Sequence, residues 1–237
     1  MLTDPAELAQ SPETIEEIEK ATLRLVVQAI YDFREDACNI FREERDLAGD
    51  IGEDITREAL DQMGMSRIDQ RLFGKIDYKR ARYVFHPEYA VKQALFVDSK
   101  AERIEGQRTA TLQTSQLSMV VRQYRGGAAI EVAGKLPRIL QLRGENYLTT
   151  TLFIKYNYRE STTANELTGI TVAAVPNGLL QDRYNNTCDD TIWLVGRNAP
   201  TLGEQFRVRL SFGRLKAKAK WRVQHIFPPS APFVWDE

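Results

Sequence analysis

The sequence predicts one α/β domain in which helices flank a mixed central β-sheet. Three observations support this fold class: apolar residues at helical spacing near the N-terminus, short apolar or alternating segments typical of strands after residue 73, and no linker or internal repeat between them. The chain has 237 residues, 43% of them hydrophobic, which is enough for one sizeable core. We therefore expect a single domain over residues 1–237, with a long helical region at 1–48 and a sheet-rich core at 73–227.

The helical region is predicted to begin at Ser11 and Pro12, because serine is favoured at the N-cap and proline at the first helical position. Apolar residues then recur at helical intervals from Ile15 to Phe41, which predicts one long helix. We expect its apolar face to pack on the core, with a subunit interface as the alternative for part of that face. After two glycines, residues 53–63 predict a second, shorter helix.

The predicted strands are short. Residues 94–97 are wholly apolar and are predicted to form a strand that stops at Asp98, and residues 149–158 alternate so that one face is apolar. Residues 204–215 and 221–227 are predicted to pair with each other, and the prolines after them predict a stiff, exposed tail. The other predicted strands are residues 81–85 and 169–175, each ended by a nearby proline.

The net charge of −1 hides a strong asymmetry along the chain. Residues 1–70 contain 7 Lys/Arg and 18 Asp/Glu, a net charge of −11, whereas residues 71–237 contain 25 Lys/Arg and 15 Asp/Glu, a net charge of +10. Because a polyanion responds to charge within a Debye length of about 8 Å, the second part of the chain is suited to meet phosphates. The alternative is that both blocks of charge are solvated surface.

Cysteine usage and the N-terminus predict a reducing, cytoplasmic location. Cys38 and Cys188 lie far apart and lack metal-ligand spacing, and residues 1–19 are acidic and polar, unlike a signal or transit peptide. The longest apolar runs fall short of the roughly 20 residues that span a bilayer.

Asp98 and Lys100 are the first candidates for chemistry. They are two residues apart after an apolar strand, so an extended chain would place both side chains on one face. A carboxylate there can bind Mg²⁺, while the ammonium orients water and offsets charge on a phosphate. Asp77 precedes the neighbouring strand, and a hairpin-like pairing would bring it beside Asp98. This arrangement is the nuclease pattern written PD-(D/E)xK; the alternative is an ion pair at a strand end.

The second candidate is a basic stretch, residues 207–222, with seven basic residues in sixteen positions and no acid. Arg207 and Arg209 alternate with apolar residues, so a strand would have an apolar back and an arginine front. Such a strand can read base edges in a DNA groove, and lysines such as Lys216 and Lys218 can contact phosphates. A solvated outer face of a sheet is the alternative.

Other polar residues have simpler interpretations. Glu53 and Asp54 lie at the start of the second predicted helix, where acids are favoured by the helix dipole; a third carboxylate near the metal is the alternative. The two histidines are isolated in sequence, and the three tryptophans are expected to pack rather than stack on bases.

Several motifs in the chain resemble the SfiI-type restriction endonucleases, in the same order over residues 13–226. The resemblance is carried by the first helix at residues 20–29 and by seven short motifs: GEDIT at 52–56, GKIDYKR at 74–80, FVDSKA at 96–101, SQLSM at 115–119, YRE at 158–160, QDRYN at 181–185 and RVR at 207–209. Residues 124–146 match the family poorly. The family also has a longer region after residue 227, so the resemblance leaves tetramer formation open.

The resemblance implies a PD-(D/E)xK restriction-endonuclease-like fold and Mg²⁺-dependent hydrolysis of both strands of DNA at a palindromic, G/C-containing site, leaving 3′ overhangs. The family's acids and lysine fall on Asp77, Asp98 and Lys100, with a metal contact from the backbone at Ser99. The residues assigned to DNA contact are Arg197, Arg207, Arg209, Lys79, Arg80, Lys216 and Lys218. The implied partners are a second copy of the chain, as a homodimer or homotetramer, and a cognate DNA methyltransferase that acts on the same site without a stable complex. A non-cutting DNA-binding protein and a repair or junction-resolving nuclease are the alternatives.

Overall fold

The computed structural model describes residues 2–44, 51–68, 81–103, 108–162, 164–195, 206–227 and 231–237. A mixed β-sheet lies at the centre of this part of the chain. Its strands are β1 (Arg82–His86), β2 (Val91–Arg103), β6 (Ile139–Leu142), β7 (Glu145–Glu160), β8 (Asn165–Val175) and β11 (Val223–Ile226), in the order β1-β2-β7-β8-β11, with β6 beside the start of β7. Only β2 and β7 run parallel, so the predicted mixed sheet is confirmed.

Three helices cover one face of this sheet: α1 (Pro12–Asp32), α2 (Arg34–Glu43) and α3 (Ile51–Gln62). From Leu23 onward, the buried apolar residues of these helices pack in one core with Leu152, Ile154 and Tyr156 of β7, whereas Ile15 and Ile18 belong to the core on the other face. The start at Pro12 and the shorter second helix are confirmed. The single long helix is wrong, because it is interrupted at Phe33 (φ −86°, ψ 2°). Phe33 is buried, and α2 begins at Arg34 and packs on β8.

Smaller elements cover the other face. Strands β3 (Thr109–Gln113), β10 (Arg207–Ser211) and β9 (Trp193–Val195) form one sheet, and β4 (Val120–Arg125) and β5 (Ala128–Ala133) form a hairpin. Helices α4 (Gln181–Tyr184) and α5 (Phe212–Lys218) complete this layer. Apolar side chains of β3, β4, β9, β10, α4 and α5 form one core with Phe153 and Ala173 of the central sheet. The central sheet therefore has a helical side and a second side covered mainly by strands.

Two strand predictions are wrong in detail. The segment 204–215 does not pair with 221–227: β10 pairs with β3 and β9, whereas β11 pairs with β8, because α5 separates them and turns the chain back to the central sheet. The strand predicted to stop at Asp98 continues to Arg103, because residues 93–103 pair with β7 along their whole length.

The end of the chain is largely exposed, as predicted, but its aromatic side chains contact the rest of the protein. Phe233 and Trp235 pack against the helical core, and the guanidinium of Arg24 lies 5.2 Å from the Trp235 ring centroid. The side chain of Gln224 bonds to both the backbone N–H and the carbonyl of Asp236, at 3.0 and 2.9 Å. These contacts give residues 231–237 a defined place against α1 and β11.

The charge asymmetry is partly neutralised inside the protein. Arg183 forms ion pairs with Glu13 and Glu16 of α1, and Arg222 pairs with Glu19 at 2.7 Å. Some acidic residues of the first part of the chain therefore form ion pairs with arginines of the second part. Within the described ranges, no helix is long and apolar enough to cross a membrane.

Candidate functional site

Asp98 and Lys100 lie on the same face of β2, as predicted. Their Cα partners on β7 are Phe153 and Lys155, and Phe153 belongs to the core of the strand-covered side. Parallel neighbours in register point the same way, so both candidates face the side that carries β3, β10 and β9. The Asp98 residue is 2% exposed, and its Oδ1 lies 3.3 Å from Nζ of Lys100, whose side chain is 39% exposed.

Glu53 is a third charged group at this site, and it was interpreted from sequence mainly as a helix-dipole residue. Its Oε1 lies 3.6 Å from Nζ of Lys100. The approach depends on Gly52, because a Cβ there would lie 3.1 Å from the backbone of Lys100 and Ala101. The sequence did contain a signal, since the GEDIT motif includes both residues, but helix-start chemistry explained the acid equally well.

Ser99 points to the opposite, helical side. Its hydroxyl donates to Oγ1 of Thr56 at 2.8 Å, and Thr56 in turn lies 2.8 Å from the phenol oxygen of Tyr156. Burial raises the pKa of Tyr156 well above its usual range, so this phenol stays protonated. The chain of hydroxyls joins β2, α3 and β7 below the site, which leaves only the backbone of Ser99 for a metal contact.

The prediction for Asp77 falls outside the described residues, as do those for Lys79, Arg80 and Arg197. The hairpin on which the Asp77 prediction was based lies among the described residues. Its strands, β1 and β2, are antiparallel, with Arg82 opposite Leu95. Ile68 N–H donates to the carbonyl of Ala81 at 2.7 Å, so the residues before and after this segment are adjacent. β1 pairs with β2 only as far as Leu95. After Leu95, β7 is the only described strand that pairs with β2.

The donor atoms at the site suit a hard divalent cation. Oxygens of Asp98 and Glu53 lie 3.3 and 3.6 Å from one ammonium nitrogen, so they are at most about 7 Å apart. Magnesium is usually bound by one or two carboxylates together with water and phosphate oxygens, and the described residues bring two carboxylates to this site. Among the described residues, no group of three or more acidic, histidine or cysteine side chains is close enough to hold a metal alone.

The arginine strand has the alternation that was predicted. Val208 and Leu210 are buried in β10, while Arg207 is half-buried and Arg209 is exposed. Nε of Arg209 donates to the carbonyl of Val195 at 2.9 Å. The strand therefore presents its basic side away from the core, on the same side of the central sheet as Asp98.

The rest of the basic stretch is more varied. Lys216 forms an ion pair with Asp236, and Lys218 pairs with Asp190 at 2.5 Å and donates to the carbonyl of Arg183 at 2.9 Å. Arg222 was counted with the basic surface, and this is wrong, since it is fully buried against Glu19. Arg222 lies in a short 3-10 helix before β11 and points into the core. The alternation of basic and apolar residues in the sequence does not predict this direction.

The chain is similar to known restriction enzymes in sequence and in fold. Residues 32–226 match the family model described as type II restriction enzyme SfiI. The chain is 35% identical to the type II restriction enzyme SfiI of Streptomyces fimbriatus over 232 residues, covering 91% of this chain and 85% of that protein. The crystal structure of tetrameric SfiI bound to cognate DNA superposes with a TM-score of 0.82 at 32% identity, covering 98% of this chain and 90% of that one. The restriction endonuclease BglI bound to its DNA recognition sequence superposes at 0.72 and 18% identity, covering 94% and 93%, a likeness of fold.

Proposed function

Because the chain belongs to the family of type II restriction enzymes that contains SfiI, we propose that it cuts both strands of double-stranded DNA at a palindromic site. The hydrolytic centre in this proposal is Asp77, Asp98 and Lys100, with Glu53 as a fourth member. One observation carries it: a half-exposed ammonium lies between the carboxylates of Asp98 and Glu53, on the side of the sheet that also carries the arginine strand.

Each side chain has a definite task in this proposal. Asp98, Asp77 and Glu53, together with the backbone at Ser99, hold the cation, for which we propose Mg²⁺. When bound, the ion supplies Lewis acidity toward oxygens of the scissile phosphate. Lys100 orients the attacking water for in-line approach to phosphorus, and its positive charge offsets the negative charge that develops there. The carboxylates on either side keep the ammonium in place while it does so.

Sequence recognition is assigned to the arginine strand. Arg207 and Arg209, with Arg197, would donate to guanine edges in the major groove, which predicts a G/C-containing site. Lys79 and Arg80 would contact phosphates next to the site. Lys216 and Lys218 can do the same only if their ion pairs with Asp236 and Asp190 open when DNA binds.

A palindromic site calls for a symmetric protein, because each half-site is read by one copy of the same surface. SfiI is tetrameric with its cognate DNA. We propose a homodimer or homotetramer for this chain, with cuts that leave 3′ overhangs. A methyltransferase that modifies the same site, without forming a stable complex, would protect the host DNA.

Incubation of the purified protein with phage DNA tests the proposed function. We expect discrete fragments with Mg²⁺ and intact DNA with EDTA, because the site needs a divalent cation. A smear would instead indicate a repair or junction-resolving nuclease without site preference. DNA that is shifted on a gel but uncut at every Mg²⁺ concentration would indicate a binding protein. Sequencing of the fragment ends would give the site and the overhang.

Replacement of Arg207 by alanine tests the recognition strand. Loss of a bidentate contact to a base costs about 1–3 kcal/mol, so cognate DNA should bind about 5- to 150-fold more weakly and discrimination at one base pair should relax. Binding titrations on cognate and single-mismatch duplexes measure both effects. The matched control is Arg42→Ala on α2, an exposed arginine on the helical side whose partner is Asn39, and it should leave both values unchanged. Equal affinities and equal discrimination for Arg207→Ala and the control would remove Arg207 from recognition.

A further inference from the structure

Lys155 is a buried lysine next to the catalytic candidates. It lies on β7 directly opposite Lys100 in the parallel register, and its side chain is 1% exposed. Its Nζ lies 2.7 Å from Oε2 of Glu102 and donates to the carbonyl of Thr109 at 2.9 Å. Two lysines therefore stand side by side on the strand-covered face, and each has its own acidic partners.

Burial of an ammonium group is unfavourable unless it is well paired, and an apolar side chain of similar size is often tolerated better at such a place. The Lys155 ammonium is paired in this way, with the carboxylate of Glu102 and the carbonyl of Thr109. The Glu102 carboxylate and the Thr109 carbonyl come from the end of β2 and the start of β3. The position of this ion pair suggests a task connected with the site on β2.

Glu102 is the part of the arrangement that affects Lys100. It follows Lys100 by two residues on the same strand, so its side chain leaves the same face. A carboxylate at that spacing, if it were not held elsewhere, would compete with Asp98 and Glu53 for the Lys100 ammonium. The contact with Lys155 draws Glu102 toward β7 and β3 instead. Charges along this face are thus sorted into two sets, one around Lys100 and the other around Lys155.

Thr109 connects the same lysine to the recognition strand. It is the first residue of β3, where it pairs with Ser211 of β10, and Arg209 pairs with Thr111 in the same ladder. The Lys155 ammonium therefore bridges the end of the catalytic strand and the sheet that carries Arg207 and Arg209. A shift of that sheet relative to β2 would have to stretch one of the two contacts.

From this geometry we propose that Lys155 is a positioning residue for the catalytic Lys100. It keeps Glu102 away from the Lys100 ammonium, and its bond to the Thr109 carbonyl holds its own ammonium in position for that task. The inference rests on the proposed nuclease function and adds to it a residue that touches neither metal nor DNA.

The test uses four full-length variants: Lys155→Met, Glu102→Gln, the double variant, and Lys92→Met as a matched control. Lys92 is also paired with a glutamate of β7, Glu145, but at the opposite end of β2. Single-turnover cleavage of a saturated DNA complex is compared with DNA affinity measured in EDTA. We expect Lys155→Met to cut about 10- to 100-fold more slowly, since small misplacements of a catalytic group have effects of this size, while its affinity stays within about 3-fold. The double variant should return to the rate of Glu102→Gln, because the competing carboxylate is gone.

The outcomes separate the inference from the proposed function. Cleavage by the wild type and Lys92→Met supports the nuclease function whatever Lys155→Met does. A folded Lys155→Met that cuts at the wild-type rate, or a loss that the double variant does not recover, overturns the positioning role. If Lys155→Met fails to fold, the double variant, which removes both charges of the pair, provides the test: the inference requires it to cut DNA at the rate of Glu102→Gln.

Discussion

Replacement of Asp98 by asparagine should reduce DNA cleavage by at least about a thousand-fold while leaving DNA binding intact. The substitution keeps the shape of a side chain that is 2% exposed but removes the negative charge 3.3 Å from Lys100. A cation is then held by fewer carboxylates, and Lys100 keeps only Glu53 as a described partner at the site. Because no positive charge is lost, affinity for DNA should be equal or higher. Single-turnover cleavage with Mg²⁺ and binding in EDTA measure the two effects.

Asp54→Asn is the control for this experiment. Asp54 is next to Glu53 on α3, but it is exposed and pairs with Arg57 at 2.6 Å, away from Lys100. We expect its cleavage rate to stay within about 2-fold of wild type, since exposed ion pairs contribute little. Cleavage that persists in Asp98→Asn at a similar rate would show that the hydrolytic centre lies elsewhere.

The largest effect on stability is expected for Arg222→Met. Arg222 and Glu19 are both completely buried, 2.7 Å apart, and Arg222 also donates to the phenol oxygen of Tyr184 at 2.7 Å. Removal of one partner from a buried ion pair costs about 3–5 kcal/mol, because a carboxylate remains in the core without its counter-charge. The midpoint of urea denaturation, followed by circular dichroism, should therefore fall sharply.

The pH dependence of this variant has a definite sign. Burial raises the pKa of Glu19, and in the wild type the Arg222 guanidinium opposes that rise. Without Arg222 the folded-state pKa rises further, so the folded protein binds a proton more readily than the unfolded chain. The corresponding stability is present below the ordinary pKa of about 4.5 and is lost as the pH rises through the folded-state value. Arg222→Met should thus be destabilised less at pH 5 than at pH 8.

A double variant and a surface control complete this test. Glu19→Gln with Arg222→Met leaves no buried charge and should recover much of the lost free energy of unfolding. Arg159→Met removes an exposed partner of Glu166, and it should change the free energy of unfolding by less than about 1 kcal/mol. A loss in Arg222→Met no greater than that of Arg159→Met would contradict the structural role of the buried pair.

Local patterns in the sequence were sufficient for much of the fold. The start of α1 at Pro12, the buried face of β7 and the alternation of Arg207 with Val208 follow from short-range periodicity, which depends only on backbone geometry. The common face of Asp98 and Lys100 follows from the same rule. Seven short motifs in a shared order were enough to indicate the family that the comparisons confirm.

Contacts between distant segments were decided by the tertiary structure. Glu53 meets Lys100 only because α3 packs closely on β2 at Gly52, and Glu102 meets Lys155 only because β2 and β7 run parallel in one register. The turn at Phe33 and the pairing of β10 with β3 arise in the same way. Each of these contacts depends on which apolar faces pack against one another, and that is determined by the packing of the whole core. Periodicity in the sequence specifies only which face of each segment is apolar.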